Sequence, residues 1–317
     1  MQPNLACFMR EGVGYIAGQR FSHPVLSRKP ILVALSNPVA DTADHPALLD
    51  ALLQRQPRCV FVQINYDFAA LLHEKGFKVY PLGVESDVPL AGFDLRGKAR
   101  AKLRQWRNKC IREGVEVTEG PITAQDPGEV AALSRDWLKR KGGAEKNFLT
   151  RPLQLNGEEG MRYFWARQNG RLVGFAGMDP MYRGGRVEGY YHNYDRLLGE
   201  APNGTSAYIA LTAAEAFRKE GVSTLALGLS PLAGLENEFD NSPLLQRASS
   251  LIFEYGNTLY PFKGNVQHKR KFDPRRIKSY VAGNVSALQI MFAASAACGL
   301  ELKNGRKPSS SESLRAP

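Results

Sequence analysis

The 317-residue sequence holds four cysteines, Cys7, Cys59, Cys110 and Cys298, spread along the chain with no C-x-x-C among them. That spacing argues against a disulfide framework and against a cysteine zinc site, and it fits a reducing cytoplasm. The five histidines are scattered without an H-E-x-x-H pair, so no metal ligand set is legible. There is no Walker loop, no G-x-G-x-x-G after a strand and no G-x-S-x-G. Nucleotide-cofactor chemistry and serine hydrolysis therefore lack their signatures. A run of about 18 uncharged apolar residues, the minimum for a membrane span, is also missing. The nearest approach, Val285 to Leu300, is Ala-rich and shorter; it reads as a buried helix, with a helix lying on a bilayer as the alternative. Pro3, Arg10 and Glu11 interrupt the N-terminal stretch where a signal peptide would need an apolar core. The expectation is a cytoplasmic protein with no metal and no cofactor.

What the chain does have is concentrated positive charge. Its formal net charge is +11. Residues 98–112 contain Lys98, Arg100, Lys102, Arg104, Arg107, Lys109 and Arg112 with no acid. Residues 263–278 contain Lys263, Lys269, Arg270, Lys271, Arg275, Arg276 and Lys278 against Asp273 alone. The two runs carry more than the whole excess. Charge gathered this way points to an anionic partner: nucleic acid, a phospholipid surface or a phosphorylated small molecule. The plain alternative is a pair of solvated helix faces.

Periodicity gives an α/β chain. Strands are expected at 14–20, 30–35, 59–64, 78–84, 115–119, 162–168, 171–178, 186–192 and 224–228. Helices are expected at 44–55, 68–75, 96–112, 127–141, 207–220 and 244–255. Asn169-Gly170 is a two-residue hairpin signal, and Gly76 and Gly221 stand where helix C-caps prefer glycine. In helix 96–112, Ala99, Leu103, Trp106 and Cys110 form one apolar stripe, which leaves the basic faces to an anion. The order of elements is similar in the two halves, as in a duplicated fold. The expected organisation is a first domain over 1–120, a second over 121–283 carrying the active site, an apolar helix over 284–302 and a polar, disordered tail over 303–317.

The segment Arg171-Leu172-Val173-Gly174-Phe175-Ala176-Gly177 resembles the central strand of GNAT-type acyltransferases. The glycine-rich diphosphate loop of acetyl-CoA enzymes is not visible before helix 207–220, where Ala201-Pro202-Asn203-Gly204 stands instead. Five further stretches then fall in order. The first holds Leu95, Gly97, Lys98, Leu103, Arg104, Asn108, Arg112, Glu113 and Gly114, and the second Ser134, Trp137, Leu138, Lys141, Glu145, Lys146 and Phe148. The third is Ala201 to Gly204. The fourth holds Leu227, Gly228, Pro231, Leu232, Gly234, Leu235 and Glu236, and the fifth Phe262, Gly264, Lys269, Lys271, Phe272 and Pro274. From about residue 10 to 283 the chain resembles the catalytic domain of the aminoacyl-phosphatidylglycerol synthases (the phosphatidylglycerol lysyltransferase, or multiple peptide resistance factor, family), free-standing and without the membrane-spanning flippase half. One departure stands out: where the family reads Asp-Leu-Met-Arg, this chain has Asn193-Tyr194-Asp195-Arg196.

The resemblance implies two tandem GNAT-type folds. They would move an aminoacyl group from aminoacyl-tRNA to the hydroxyl of phosphatidylglycerol or a related lipid, reached peripherally at the inner face of the membrane. The aminoacyl ester is already activated, so geometry and stabilisation of the tetrahedral intermediate would suffice. On this reading Glu236, Lys269 and Asn193 are the candidate catalytic residues. Arg196, Lys271, Glu145, His192 and Tyr190 are candidates for binding substrate, and Lys98, Lys102 and Arg104 for tRNA or lipid phosphates. Lys269 and Lys271, as alternate residues of a strand, would share one face; Trp106 and Trp137 read as core. The competing functions are a transferase of the same fold with a soluble amine or hydroxyl acceptor, an acyl-CoA N-acyltransferase, and a non-catalytic binder of tRNA or membrane.

Overall fold

The computed structural model describes residues 6–10, 13–23, 27–141, 148, 152–231, 233–234, 238–239 and 262–297. In chain order these form β1 (Ala6–Arg10), β2 (Gly14–His23), β3 (Ser27–Ala40), α1 (His45–Arg55), β4 (Cys59–Ile64), α2 (Tyr66–Glu74) and β5 (Lys78–Pro89). Then come α3 (Ala101–Arg112), β6 (Val115–Glu119), α4 (Pro127–Arg140), β7 (Arg162–Gln168), β8 (Arg171–Arg183), β9 (Arg186–Leu197), α5 (Thr205–Lys219) and β10 (Thr224–Pro231). The last are α6 (Phe262–Arg270), β11 (Arg275–Gly283) and α7 (Ala287–Ala297).

All the strands join one eleven-stranded sheet in the order β1-β2-β3-β4-β11-β5-β10-β9-β8-β7-β6. The order has internal symmetry about the antiparallel β11–β5 pair. On one side β3 runs parallel to β4, joined through the crossover helix α1. On the other side β9 runs parallel to β10, joined through α5. A parallel pair needs such a crossover, and an antiparallel meander extends outward from each. Each half also lends its last strand to the other: β5 pairs with β10, and β11 pairs with β4. The result is two similarly built α/β halves fused into one sheet.

Burial explains the elements. β4 reads Cys-Val-Phe-Val-Gln-Ile and is buried on both faces over Cys59–Val62, as a central parallel strand requires. The α1 residues Leu48, Leu49 and Leu52 are fully buried, together with Phe61 and Phe68. In the second half α5 supplies Ile209, Ala210, Ala213 and Phe217 to a core that also takes Leu103 and Cys110 of α3. The opposite face of that half is closed by Val130 and Leu133 of α4 over Trp165 and Phe175. Asn169 and Gly170 form the tight turn between β7 and β8, both with left-handed φ (49° and 85°).

Two expectations are corrected, and a third, the buried C-terminal helix, holds. The basic helix starts at Ala101, not residue 96, because Gly97 takes φ +83° and the chain turns there. The basic run 263–278 is not a strand through Lys269 and Lys271. Its first part is α6, which carries Lys269 in its last turn, and its end is β11, a central strand that the charge concealed. The apolar C-terminal helix packs its Ile290 and Ala293 on the sheet beside Val60 and Val62; no helix among the described residues is long and apolar enough to cross a membrane. The expected helix 244–255 and the tail 303–317 lie outside the described residues.

Candidate active site

The parallel strands β9 and β10 pair only through Gly189–Tyr191 and Thr224–Ala226, then separate. Beyond that point β10 bulges against β5 between Ala226 and Leu229, and Gly228 adopts φ +80°. A side chain at Gly228 would be strained by that φ, and its Cβ would fall 2.7 Å from the Tyr191 hydroxyl. The bulge turns the Gly228 and Leu229 carbonyls toward α6, where both accept from Lys269 Nζ at 2.9 Å. Lys269 is thus a buried cation held at the open end of two diverging strands, with two of its three N–H bonds occupied. Burial depresses its pKa to about 8, against the pull of the Glu85 and Asp195 carboxylates.

The two faces of the sheet differ in charge at this splay. On the α5 face lie Lys269, His192 and His268, with one acid, Asp195, which accepts from the Ser206 hydroxyl in the first turn of α5. His192 Nε2 is buried without a hydrogen-bond partner among the described residues. Burial and the nearby Lys269 lower the His192 pKa, so its neutral form is favoured. On the other face lie Glu85, Tyr191, Asp179 and Asn193. Gln63 Nε2 donates to Glu85 Oε1 at 2.7 Å and to the Tyr191 hydroxyl at 3.2 Å. The Asn193 amide donates to Asp179. Burial raises the Glu85 carboxyl to about 7, and the Gln63 hydrogen bond and the Lys269 charge restrain that rise.

The two basic runs meet beside this splay. Trp106 of α3 stacks on His268 of α6 with centroids 5.7 Å apart. Lys102 and Lys271 both bring their ammonium groups over the same ring, at 5.6 and 5.4 Å. A Cβ at Gly204, the N-cap of α5, would lie 2.7 Å from the Trp106 Cβ, so the ring sits against the start of that helix. Arg100 reaches Asp273 across the same junction, at 3.9 Å. Much of the α3 charge is nevertheless committed. Arg107 pairs with Glu215, and Lys109 with Glu113. Arg104, expected to hold phosphate, donates to the carbonyls of Leu95 and Gly97 and fixes the turn before the helix. Lys98 and Lys102 are exposed.

The expected site residues thus divide. Lys269, His192 and Asn193 converge on the splay, and Lys271 stands at its rim. Arg196 does not reach it: it is 1% exposed, donates to Ser134 of α4, and lies 5.3 Å from the Trp137 ring and 5.4 Å from the Tyr194 ring. Alternation along β9 turns it to the α4 face, where it positions the strand. Tyr190 is core, stacked on Phe217 at 4.2 Å. Glu236 and Glu145 lie outside the described residues. Sequence reading missed Glu85, Gln63 and Asp179; alternation along the strand does put Tyr191 on the face opposite Tyr190 and His192. Two acids, Glu85 and Asp87, between Val84 and Val88, and a glutamine inside a run of buried apolar residues, were the available signals.

A family model described as phosphatidylglycerol lysyltransferase, C-terminal, matches residues 23–283. A phosphatidylglycerol lysyltransferase of Bacillus subtilis (strain 168) is 29% identical over 259 residues, covering 79% of this chain and 29% of that protein. One from Staphylococcus epidermidis is 25% identical over 257 residues, covering 77% of this chain and again 29% of its own length. The chain therefore spans less than a third of these curated relatives. Among solved structures, the C-terminal domain (DUF2156) ascribed to a lysylphosphatidylglycerol synthetase of Agrobacterium fabrum superposes with TM-score 0.76 at 23% identity, covering 96% of this chain and 92% of that one. L-PGS from Bacillus licheniformis superposes with TM-score 0.73 at 23% identity, over 93% and 90%. These two likenesses establish the shared fold.

Proposed function

The chain belongs to the family of phosphatidylglycerol lysyltransferase C-terminal domains, and from that premise we propose that it transfers an aminoacyl group from aminoacyl-tRNA to a hydroxyl of phosphatidylglycerol or a related anionic lipid. The observation that carries this reading is the meeting of both basic segments at Trp106, beside a splay that holds the buried Lys269. A polyanion docks on the α5 face by its phosphates, and its aminoacyl terminus enters between β9 and β10. The acidic group Asp179 of the other face suits the ammonium of the amino acid.

The ester supplies its own leaving group, so the reaction needs neither cofactor nor covalent enzyme intermediate. The Lys269 ammonium, whose third N–H has no partner among the described residues, stabilises the oxyanion that forms when the hydroxyl adds to the ester carbonyl; a pre-positioned donor of this kind contributes about 10²–10³-fold. Lys102 and Lys271 hold phosphate at the rim, and Lys98 extends that surface. Purified protein, given charged tRNA and vesicles containing phosphatidylglycerol, is expected to move labelled amino acid into the lipid extract. Product found in the aqueous phase instead, without vesicles, would reassign the acceptor to a soluble molecule. No transfer from any charged tRNA would overturn the reading.

A further inference from the structure

We propose that Glu85 takes the proton from the attacking hydroxyl and returns it to the departing oxygen, and that Gln63, contributed by the first half of the molecule, is the residue that positions it. This rests on the transfer reading above. In the step, the acceptor oxygen bonds to the ester carbonyl carbon and its proton passes to the Glu85 carboxylate. The tetrahedral intermediate then expels the tRNA 3′-oxygen, which takes that proton back. Atoms and charge balance with no further reactant.

Placement supports this first. Val88 of β5 belongs to the α5-side core, so alternation puts Glu85 on the opposite face, with Tyr191. Its Oε1 is tied to Gln63, while its Oε2 accepts no hydrogen bond from the described residues. Lys269 influences Glu85 electrostatically without forming an ion pair with it. A base on one face and a cation on the other thus flank the gap where the ester would lie.

Gln63 is built for this position at a local cost. It has φ +64°, a left-handed conformation for a residue inside a strand. Such a residue costs on the order of 1–3 kcal/mol and persists where its surroundings hold it. The β4 ladder slips against β11 at this residue, with Ile64 and Val62 pairing to the consecutive Tyr280 and Val281. Ile64 accordingly joins the core cluster of Phe61 rather than that of Val62. The slip frees the Gln63 side chain to span β11 and donate to Glu85 of β5 and to Tyr191 of the second half. Because the Tyr191 hydroxyl lies against Gly228 and Glu85 pairs with Leu229, Gln63, Glu85, Tyr191 and Lys269 are all referenced to the same bulge in β10.

The charge environment suits a base working near neutrality. Glu85 faces Gln63 from β4, Tyr191 from β9, Lys269 from α6 and Asp87 on its own strand, with Arg275 of β11 beside Asp87. Burial holds its carboxyl at about 7. Lys269, which also faces Asp195 and His192, sits at about 8. The working form, Glu85 ionised and Lys269 protonated, therefore exists mainly between these values, and the rate should rise with pH through the first and fall through the second.

The test is the pH–rate profile of aminoacyl transfer from charged tRNA to phosphatidylglycerol vesicles, measured for the wild type, Glu85→Gln and Gln63→Ala. Glu85→Gln should lower kcat by about 10²–10⁴-fold, leave KM for tRNA within a few-fold and abolish the acid limb. Gln63→Ala removes a donor that favours the carboxylate, so its acid limb should move to higher pH by about one unit; a purely structural role would lower Tm without moving the limb. If Glu85→Gln fails to fold, Glu85→Asp tests the same role, with a reduced kcat and a retained acid limb expected. An active wild type whose Glu85→Gln variant keeps both its rate and its acid limb would overturn this assignment alone. A wild type that transfers to no acceptor would overturn it together with the transfer reading.

Discussion

The two halves of the sheet carry the same device and use it differently. In the first, β3 and β4 pair through Leu32–Leu35 and Cys59–Val62, and the ladder ends where Ser36 and Gln63 both take left-handed φ. In the second, β9 and β10 part after Tyr191 and Ala226, with Gly228 at the bulge. Beside the first ladder Val33, Val60, Val62, Phe148 and Ile290 form an apolar cluster, and past its end the Asn65 N–H donates to the Asn37 side chain, with no charged group among these residues. The second holds charged groups and their hydrogen bonds. Backbone geometry alone therefore does not make a site; the side chains admitted to the opening do. The first half serves as a scaffold, and it hands two polar side chains, Gln63 and Glu85, to its neighbour.

This division can be tested by damaging each half. Phe61 is fully buried in the first half against Phe68 and Phe77. Phe61→Ala should cost about 3–5 kcal/mol of stability, read by denaturant unfolding, while the protein that remains folded keeps its kcat. Lys269→Met should do the reverse. Transfer should fall by about 10²–10³-fold with Tm little changed, since the desolvation of a buried cation disappears along with its hydrogen bonds. A variant of this first-half apolar core with a selective loss of kcat would break the comparison.

A smaller effect follows from linkage. The Glu85 pKa is raised by folding, so its burial costs stability once it ionises above about 7. The Lys269 pKa is lowered by folding, so its burial costs stability while it stays protonated below about 8. Both costs coincide between those values. The difference in unfolding free energy between Glu85→Gln/Lys269→Met and the wild type should therefore peak there. It should shrink by roughly 2 kcal/mol toward pH 5, as Glu85 takes its proton, and similarly toward pH 10, as Lys269 loses its own. Urea titrations across that range read the curve; the Phe61→Ala difference should stay flat over the same range.

How much of this was legible in the sequence depended on whether the signal was local. β4, β6 and β7 are bounded by residues 59–64, 115–119 and 162–168, as periodicity expects, because turn residues and apolar runs mark them directly. β11 was hidden because a central strand entered by Arg275, Arg276 and Lys278 does not alternate as a strand should. Lys269 was identified through its motif, but its helical setting was not, since the α6 sequence holds few apolar residues. Tyr190 was placed in the cleft for want of its partner: only the fold reveals that Phe217, distant in sequence, stacks on it. Glu85 and Gln63 lie on strands of the other half and approach Lys269 only because the halves exchange their final strands. No window of sequence contains that exchange.

The smallest expected effect concerns the rim, where the halves differ in surface charge rather than in core. Lys102 is exposed and sits over Trp106 at the junction of the basic segments; Lys78 is equally exposed but opens β5 at the far end of the first half. If the anion docks where the segments meet, Lys102→Ala should weaken tRNA affinity only several-fold and reduce the slope of log affinity against log salt by about 1, the signature of one lost phosphate contact. Lys78→Ala should leave both unchanged. Filter-binding titrations at stepped salt resolve the two cases. Equal losses at both lysines would mean that net charge, not the meeting of α3 with α6, attracts the polyanion, and the asymmetry between the halves would then be confined to the splay.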